Sequence, residues 1–395
     1  GGNQSGSAYI FKRNGNEWEQ LNKIVATDAG AADYFGYSVA IDGDYAVVGA
    51  YQKNDVDGQQ SYGAAYVFHR GADGNWTQQQ RLIAENTETI KWLRFGVSVD
   101  IDGDYVVVGA NNPWSGGGST NFFNGAAYVY VRNNTTWTQQ QRLVHPDPKL
   151  TTENAGGSSD QFGSTVSISG NYIIVGTPGD QGEANQAGAA YIFTRSNTSW
   201  SSPEQIVASD AAAGDGFGNS VAIDGEYAIV GSYGDDDGGS NSGSAYILKR
   251  DGTSWPQQDK IVASDAAGND YFGYSVAIDG DHAIVGSYGD ADGGSNSGSA
   301  YFFKRDGTSW PHQDKIVASD AASYDNFGWS VAIDGEYAIV GSYGDADGGS
   351  YSGSAYVYEI DLPVIISTSM ANDNSTVTVT FCEAVYSTDG GSGAL

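Results

Sequence analysis

The residues best equipped for chemistry are aspartates that recur in a fixed setting. The phrase "GDDDGGSNSGSAY" spans residues 234–246, "GDADGGSNSGSAY" spans 289–301, and a third copy begins at Gly344. Carboxylates at positions 1 and 3 and an amide at position 7, among glycines that let carbonyl oxygens turn inward, suit a hard cation such as calcium. The candidate ligands are Asp235, Asp237 and Asn241, then Asp290, Asp292 and Asn296, then Asp345 and Asp347. A second acidic series holds pairs five residues apart: Asp28 and Asp33, Asp210 and Asp215, Asp265 and Asp270, Asp320 and Asp325. The competing explanation is turn-making, because Asp and Asn side chains bond nearby backbone N–H groups. No acid stands at the end of the loop, where an EF-hand loop places a bidentate Glu. Turn-making is the simpler account, and calcium is the sharper one.

A second constellation is aromatic. One stretch carries "NNPWSGGGSTNFFNG" and "HPDPKLTTENAGGSSD", and the stretch before it carries "TETIKWLRFG". Trp92, Trp114, Phe122 and Phe123 therefore fall in loops, where rings can stack on a sugar face or anchor a protein partner. They can equally bury one another and staple the longer loops. Catalysis finds less support. His69, His145, His282 and His312 occupy unrelated positions, and no G-x-S-x-G elbow or Cys/His metal spacing occurs. Repeated aspartates in similar surroundings also lack the one distinctive environment that separates the pKa values of a catalytic pair.

These residues are positioned by an internal repeat, the first thing to seek in a long chain. Phe-Gly recurs at Phe35, Phe95, Phe162, Phe217, Phe272 and Phe327, at spacings of 60, 67, 55, 55 and 55. Each opens a phrase such as "FGYSVAIDGDYAVVGA". Four short strands fit one unit. Strand a ("SVAI") turns through Asp-Gly into strand b ("YAIVG"). A Gly/Asp/Ser-rich loop leads to strand c ("SAYFFKR"), and "DGTSW" turns into strand d ("DKIVAS"). Strand b is apolar on both faces, as a strand covered on both sides must be. Units of four strands buried between neighbours describe the blades of an all-β propeller of antiparallel sheets. Strands alternate direction, so the b–c and d–a loops share one face and bring both acidic series together there. The six strand-d tryptophans, Trp18 to Trp310, and the Phe of each Phe-Gly read as packing between blades.

The phrases "FGYSVAIDGDYAVVGA" and "GAAYVF" resemble the FG-GAP repeat of integrin α-subunit propellers and of many microbial and algal surface proteins. The resemblance covers roughly residues 1–360 and implies an extracellular propeller concerned with adhesion or ligand binding. In that family calcium sits in an Asp-rich a–b loop, D-x-[DN]-x-D-G. Here the connection is only "DGD" or "DGE", as at Asp42–Asp44, so those sites are not carried over.

Strand c occurs seven times, near Tyr9 to Tyr356, but the a–b hairpin only six. Seven blades are therefore expected in the intact protein, the first lacking its a–b hairpin here. The alternative is six blades, with Trp18 to Ala26 supplying strand d to the last and Tyr9 to Arg13 left spare. Residues 361–395 break the repeat and read as the truncated start of an Ig-like β-sandwich or a linker. The 48 acidic against 18 basic residues, net −30, argue against nucleic acid and anionic membrane surfaces. Cys382 is the sole cysteine, so no disulfide forms within the chain, and no run of about 18 apolar residues exists for insertion into a membrane. The expected function is a non-enzymatic adhesion or ligand-binding propeller at the cell surface, presenting an acidic loop face to a glycan or protein. The alternative is a self-assembling building block of a surface assembly or filament.

Overall fold

The computed structural model describes residues 2–15, 17–54, 62–85, 93–111, 125–146, 160–182, 184–349, 352–360, 365–370 and 377–381. Every described regular element is a strand, and the strands form six antiparallel blades in a propeller. Before the first blade, β1 (Ala8–Asn14) and β2 (Glu17–Ile24) pair only with each other.

Blade one shows the order a-b-c-d: Val39–Asp42, Tyr45–Ala50, Ala64–Arg70 and Trp76–Leu82. Blades two, four and five repeat it, and blade three breaks its strand d into Ser199–Trp200 and Glu204–Ile206. Blade six has three strands, Phe327–Asp334, Tyr337–Ser342 and Ser354–Glu359. Each a–b turn needs the left-handed backbone that glycine adopts most easily. In blade one Asp42 pairs with Tyr45, leaving Gly43 at φ +54° and Asp44 as the two turn residues.

Six blades carry an a–b hairpin among the described residues, the count of the stated alternative. The first c–d pair, β1–β2, has no a–b hairpin and so amounts to half a blade. Nor does β2 supply a fourth strand to blade six, because it pairs with β1. The half-blade stands in the ring between blades six and one. Trp18 of β2 meets the Tyr337 ring of blade six at 5.9 Å, as Trp137 of blade two meets Tyr45 of blade one, also at 5.9 Å. On its other side Gly6 bridges to Phe35, as Gly63 bridges to Phe95.

Hydrophobic packing runs between blades rather than within them. Five buried clusters each join two consecutive blades, and a sixth joins β1–β2 to blade one. Trp137, Trp200, Trp255 and Trp310 sit in these clusters, confirming their packing role. Each Phe of Phe-Gly packs on its own blade's strand-c tyrosine, edge-on in five blades, as Phe272 on Tyr301 at 5.3 Å, and tilted in blade three, Phe162 on Tyr191 at 5.6 Å. The glycine of strand b is required by close approach. A Cβ on Gly231 would stand 1.9 Å from the Gly273 carbonyl oxygen of the next blade. Residues 365–370 and 377–381 pair as a separate two-stranded sheet.

Candidate functional site

The d–a and b–c loops do share one face, and there the two acidic series divide into two tasks. The second aspartate of each d–a pair is a buried turn cap. The Ala212 N–H donates to Asp215 at 2.7 Å, and Ala267 and Ala322 donate in the same way to Asp270 and Asp325. Burial pushes the carboxyls of Asp215 and Asp270 up, against the lowering effect of those backbone bonds. The first aspartate joins the b–c loop instead. Asp210 meets Asp235 and Asp237, Asp265 meets Asp290 and Asp292, and Asp320 meets Asp345 and Asp347, each trio with ligand atoms within 4.8 Å of one another.

Within each trio the loop builds its own turn. One oxygen of Asp235 accepts the Asp237 N–H at 3.0 Å, and Asp290 and Asp345 accept Asp292 and Asp347 likewise. The strand-c tyrosine hydroxyl then donates across the trio: Tyr246 to Asp210 at 2.8 Å and to Asp235 at 2.9 Å. Asn241 is not part of this group. It holds φ +53° in the turn, its N–H donates to Asp236, and its amide faces Ser240 and Asn269. Asn296 takes the same backbone conformation, φ +52°.

In blades four and five the centre of the trio holds a lysine. The Lys260 ammonium from strand d donates to Asp210 at 2.7 Å, Asp235 at 2.9 Å and Asp237 at 2.7 Å. Lys315 does the same for Asp265, Asp290 and Asp292 at 2.6, 2.8 and 2.6 Å. Burial would lower each ammonium's pKa, but the three carboxylates outweigh it and raise both. Burial likewise opposes ionisation of Asp210 and Asp265, and the lysine and tyrosine bonds still hold both low.

Other blades reach the same compensation with different residues. Around Asp28 and Asp33, blade one supplies Lys53, 2.8 Å from Asp33, and Arg81, 3.1 Å from Asp28. Blade three places His145 3.1 Å from Asp180, and Tyr191 donates to Asp180 at 2.6 Å. Blade six has no strand d among the described residues and hence no lysine. Its Asp347 is pushed up by the carboxylates of Asp345 and Asp320. The donor set therefore fails the test for a divalent ion in blades four and five, where an ammonium fills the centre. It passes in blade six.

Trp92, Trp114, Phe122 and Phe123 lie outside the described residues. A different aromatic group stands on the same face, at the entry of strand a and the exit of strand b. Tyr271 stacks parallel to Tyr288 at 5.0 Å, and Trp329 lies 4.6 Å from Tyr274, 4.9 Å from Tyr288 and 4.5 Å from Tyr343. In blade one Tyr37 meets Tyr51 at 4.5 Å. Burial raises the Tyr274 hydroxyl, helped by the phenols of Tyr288, Tyr37, Tyr233 and Tyr343. Rings from blades one, four, five and six thus converge around the axis. The patch is one-sided, since blades two and three carry Val97, Asn111, Ser164 and Pro178 at these positions. The signal was present in sequence as the residue after each Phe-Gly and after each Val-Gly-Ser or Val-Gly-Ala.

The FG-GAP repeat description matches residues 18–68, 76–130, 137–193, 200–248, 255–303 and 310–358. The chain belongs to the FG-GAP repeat family. Each matched unit runs from a strand-d tryptophan through strands a and b to strand c, so the sequence unit straddles two blades of this propeller. No curated protein matches the chain. Among solved structures it is similar to a crystal structure of a protein from Lactobacillus plantarum, at 15% identity and a TM-score of 0.49, covering 78% of this chain and 77% of that one. No helix among the described residues is long and apolar enough to cross a membrane.

Proposed function

We propose that this FG-GAP propeller is a non-enzymatic, extracellular binding module whose loop face takes a glycan or protein partner at the cell surface. The observation that carries the reading is the one-sided cluster of tyrosines and Trp329 at the mouth of the ring, beside the acidic loops. Flat rings with polar hydroxyls supply apolar area and hydrogen bonds together, which suits the faces of sugars and the anchor residues of protein partners. The non-enzymatic part rests on the aspartates, which are spent on turn caps and ion pairs in blade after blade.

Calcium is proposed at one place only, the trio of Asp320, Asp345 and Asp347 in blade six. It would be held by carboxylate oxygens in the position that lysine fills elsewhere, and its part would be structural.

A glycan array and a cell-surface binding screen, read with wild type and with Trp329→Ala, test the proposal. Trp329 is only half-buried, so the variant is expected to fold and to lose binding at least tenfold, the scale of a contact residue worth ~1.4 kcal/mol or more. A ligand bound equally well by both proteins would remove the aromatic mouth from the account. Trp114→Ala in parallel separates this patch from the loop aromatics.

A further inference from the structure

The c–d turns lie on the face opposite the acidic loops, beside the a–b turns: the Arg132 N–H at the end of strand c donates to the Asp104 carbonyl at 2.8 Å. In consecutive blades these turns carry one short sequence. Asn-x-Ser/Thr, with x other than proline, is the acceptor sequence for an N-linked glycan on a secreted chain. Five such sequences fall among the described residues, at Asn3, Asn75, Asn133, Asn134 and Asn197. Four of the five lie at the c–d turns of blades one, two and three. In blade two Asn133 pairs with Thr136, which leaves Asn134 and Thr135 as the turn residues. In blade three Ser196 pairs with Ser199, which leaves Asn197 and Thr198. Asn134 and Asn197 are both exposed and both hold φ +57°.

Each of these two turns is fixed at its base and exposed at its tip. The Arg132 guanidinium lies 4.1 Å over the Tyr45 ring and 5.8 Å over Trp137, and it also bonds Asp104. Arg195 lies 4.0 Å over Tyr105 and 5.8 Å over Trp200, and it donates to Asn171 at 3.0 and 2.6 Å. Between these anchors, residues 133–136 and 196–199 are all exposed, including the hydroxyl residues Thr136 and Ser199 two places after each asparagine. The Asn134 amide donates to the neighbouring Asn133 at 3.3 Å, a bond confined to the tip. A bulky group on either asparagine therefore displaces no packed side chain. Blades four and five supply an internal comparison. They carry "DGTSW", with Gly252 and Gly307 in the same turn position at φ +63° and +62°. The left-handed backbone accepts Asn or Gly equally well here, but only Asn offers an amide nitrogen for attachment.

We propose that Asn134 and Asn197 are acceptor sites for N-linked glycans, carried at the c–d turns of blades two and three and leaving the loop face clear. The inference rests on the extracellular reading, because the glycan donor is met only on a secretory route. In the transfer step the side-chain amide nitrogen attacks the anomeric carbon of a lipid-pyrophosphate-linked oligosaccharide. The new C–N bond replaces the C–O bond to the pyrophosphate, the proton from nitrogen passes to a base of the transferase, and the lipid pyrophosphate leaves. Nothing is oxidised or reduced. Glycans on two adjacent blades also cover part of the face through which propellers could otherwise stack.

The test secretes the full chain from a eukaryotic host behind a cleavable leader. Peptides are then mapped by mass after enzymatic glycan release, which returns each occupied asparagine as aspartate. Asn134 and Asn197 are expected to be occupied in most molecules. Ser199→Ala removes the hydroxyl from one sequence and should abolish the glycan at Asn197 while the one at Asn134 stays. Gly252→Asn writes the same sequence into blade four and should gain a glycan there, since Asn already takes this backbone conformation in blades two and three. Both variants change exposed turn residues and are expected to keep the wild-type melting midpoint. Unmodified Asn134 and Asn197 in folded, secreted protein would overturn the proposal, as would a Gly252→Asn protein that folds and stays bare. Bare sites beside ligand binding that depends on Trp329 would sink this inference alone. Occupied sites without any Trp329-dependent ligand would support it and sink only the aromatic mouth.

Discussion

Replacing Lys260 by Met removes one internal cation from three carboxylates and leaves the apolar stem in place. The Lys260 side chain is 18% exposed, against 5% for Asp235, 41% for Asp210 and 70% for Asp237. The two exposed partners are solvated and contribute little. The cost therefore falls on Asp235, which keeps the Tyr246 hydroxyl and the Asp237 N–H but loses its counter-charge. Breaking a buried pair costs roughly 3–5 kcal/mol, and solvent at one side of this group discounts that to ~2–3 kcal/mol. The melting midpoint is expected to fall by about 4–12 °C, taking ~2–4 °C per kcal/mol. The pH profile carries the specific signature. Asp210 is held below its unfolded value, so its stabilisation is present above about pH 4 and is lost as pH falls through the folded pKa. Lys260 is held above its unfolded value, so its share is present below about pH 10 and is lost as pH rises beyond it. Lys260→Met should therefore flatten both limbs, and adding Asp235→Asn should restore part of the midpoint by deleting the stranded charge. Thermal melts from pH 3 to 11 decide it. Wild-type stability in Lys260→Met with both limbs intact would refute the reasoning, as would a double variant worse than the single.

The same logic extends to the other polar sites. Millimolar calcium should raise the midpoint of Lys260→Met, whose trio then matches that of blade six, and in Asp347→Asn the wild-type response to calcium should disappear. Melts with and without EDTA check both. Asp100 on strand a of blade two is pushed up to about 6 by burial, despite N–H bonds from Ile168 and Ile101. A carboxyl raised in the fold costs stability when ionised, so the protein should gain as pH falls from about 6 to 4 on this group's account. Asp100→Ser, the residue blade three carries at Ser167, should remove that slope and stabilise at pH 7 by up to about 3 kcal/mol. Gly231→Ala places a Cβ 1.9 Å from a backbone oxygen that no side-chain movement can clear. Its expected cost of ~3 kcal/mol or more would show as a collapsed midpoint or loss of soluble protein.

Repetition made the architecture legible in the chain itself. Six copies of one phrase, each with a two-residue turn and a doubly apolar strand, leave few alternatives to stacked sheets buried on both faces. The tryptophan at one register and the Phe-Gly pair were readable as packing for the same reason: a residue needed in every blade cannot be serving one ligand. The loop aspartates were placed on the right face because antiparallel strands alternate direction. What could not be read was charge compensation. Lys260 lies 23 residues beyond Asp237 and 50 beyond Asp210, and only the curl of the blade carries its ammonium among them. The aromatic mouth escaped for a related reason: Tyr37 and Tyr274 belong to different units, and only closure around the axis makes them neighbours.

The blade count marks the boundary most clearly. Sequence alone determined that strand c occurs once more often than the a–b hairpin, since both are local patterns. Tertiary structure decided the consequence. The extra c–d pair binds its own two strands and holds a place in the ring, because its tryptophan and glycine meet blades six and one with the same contacts that join every other pair. Local periodicity specifies a blade; the packing between blades determines which side chains of distant units become neighbours.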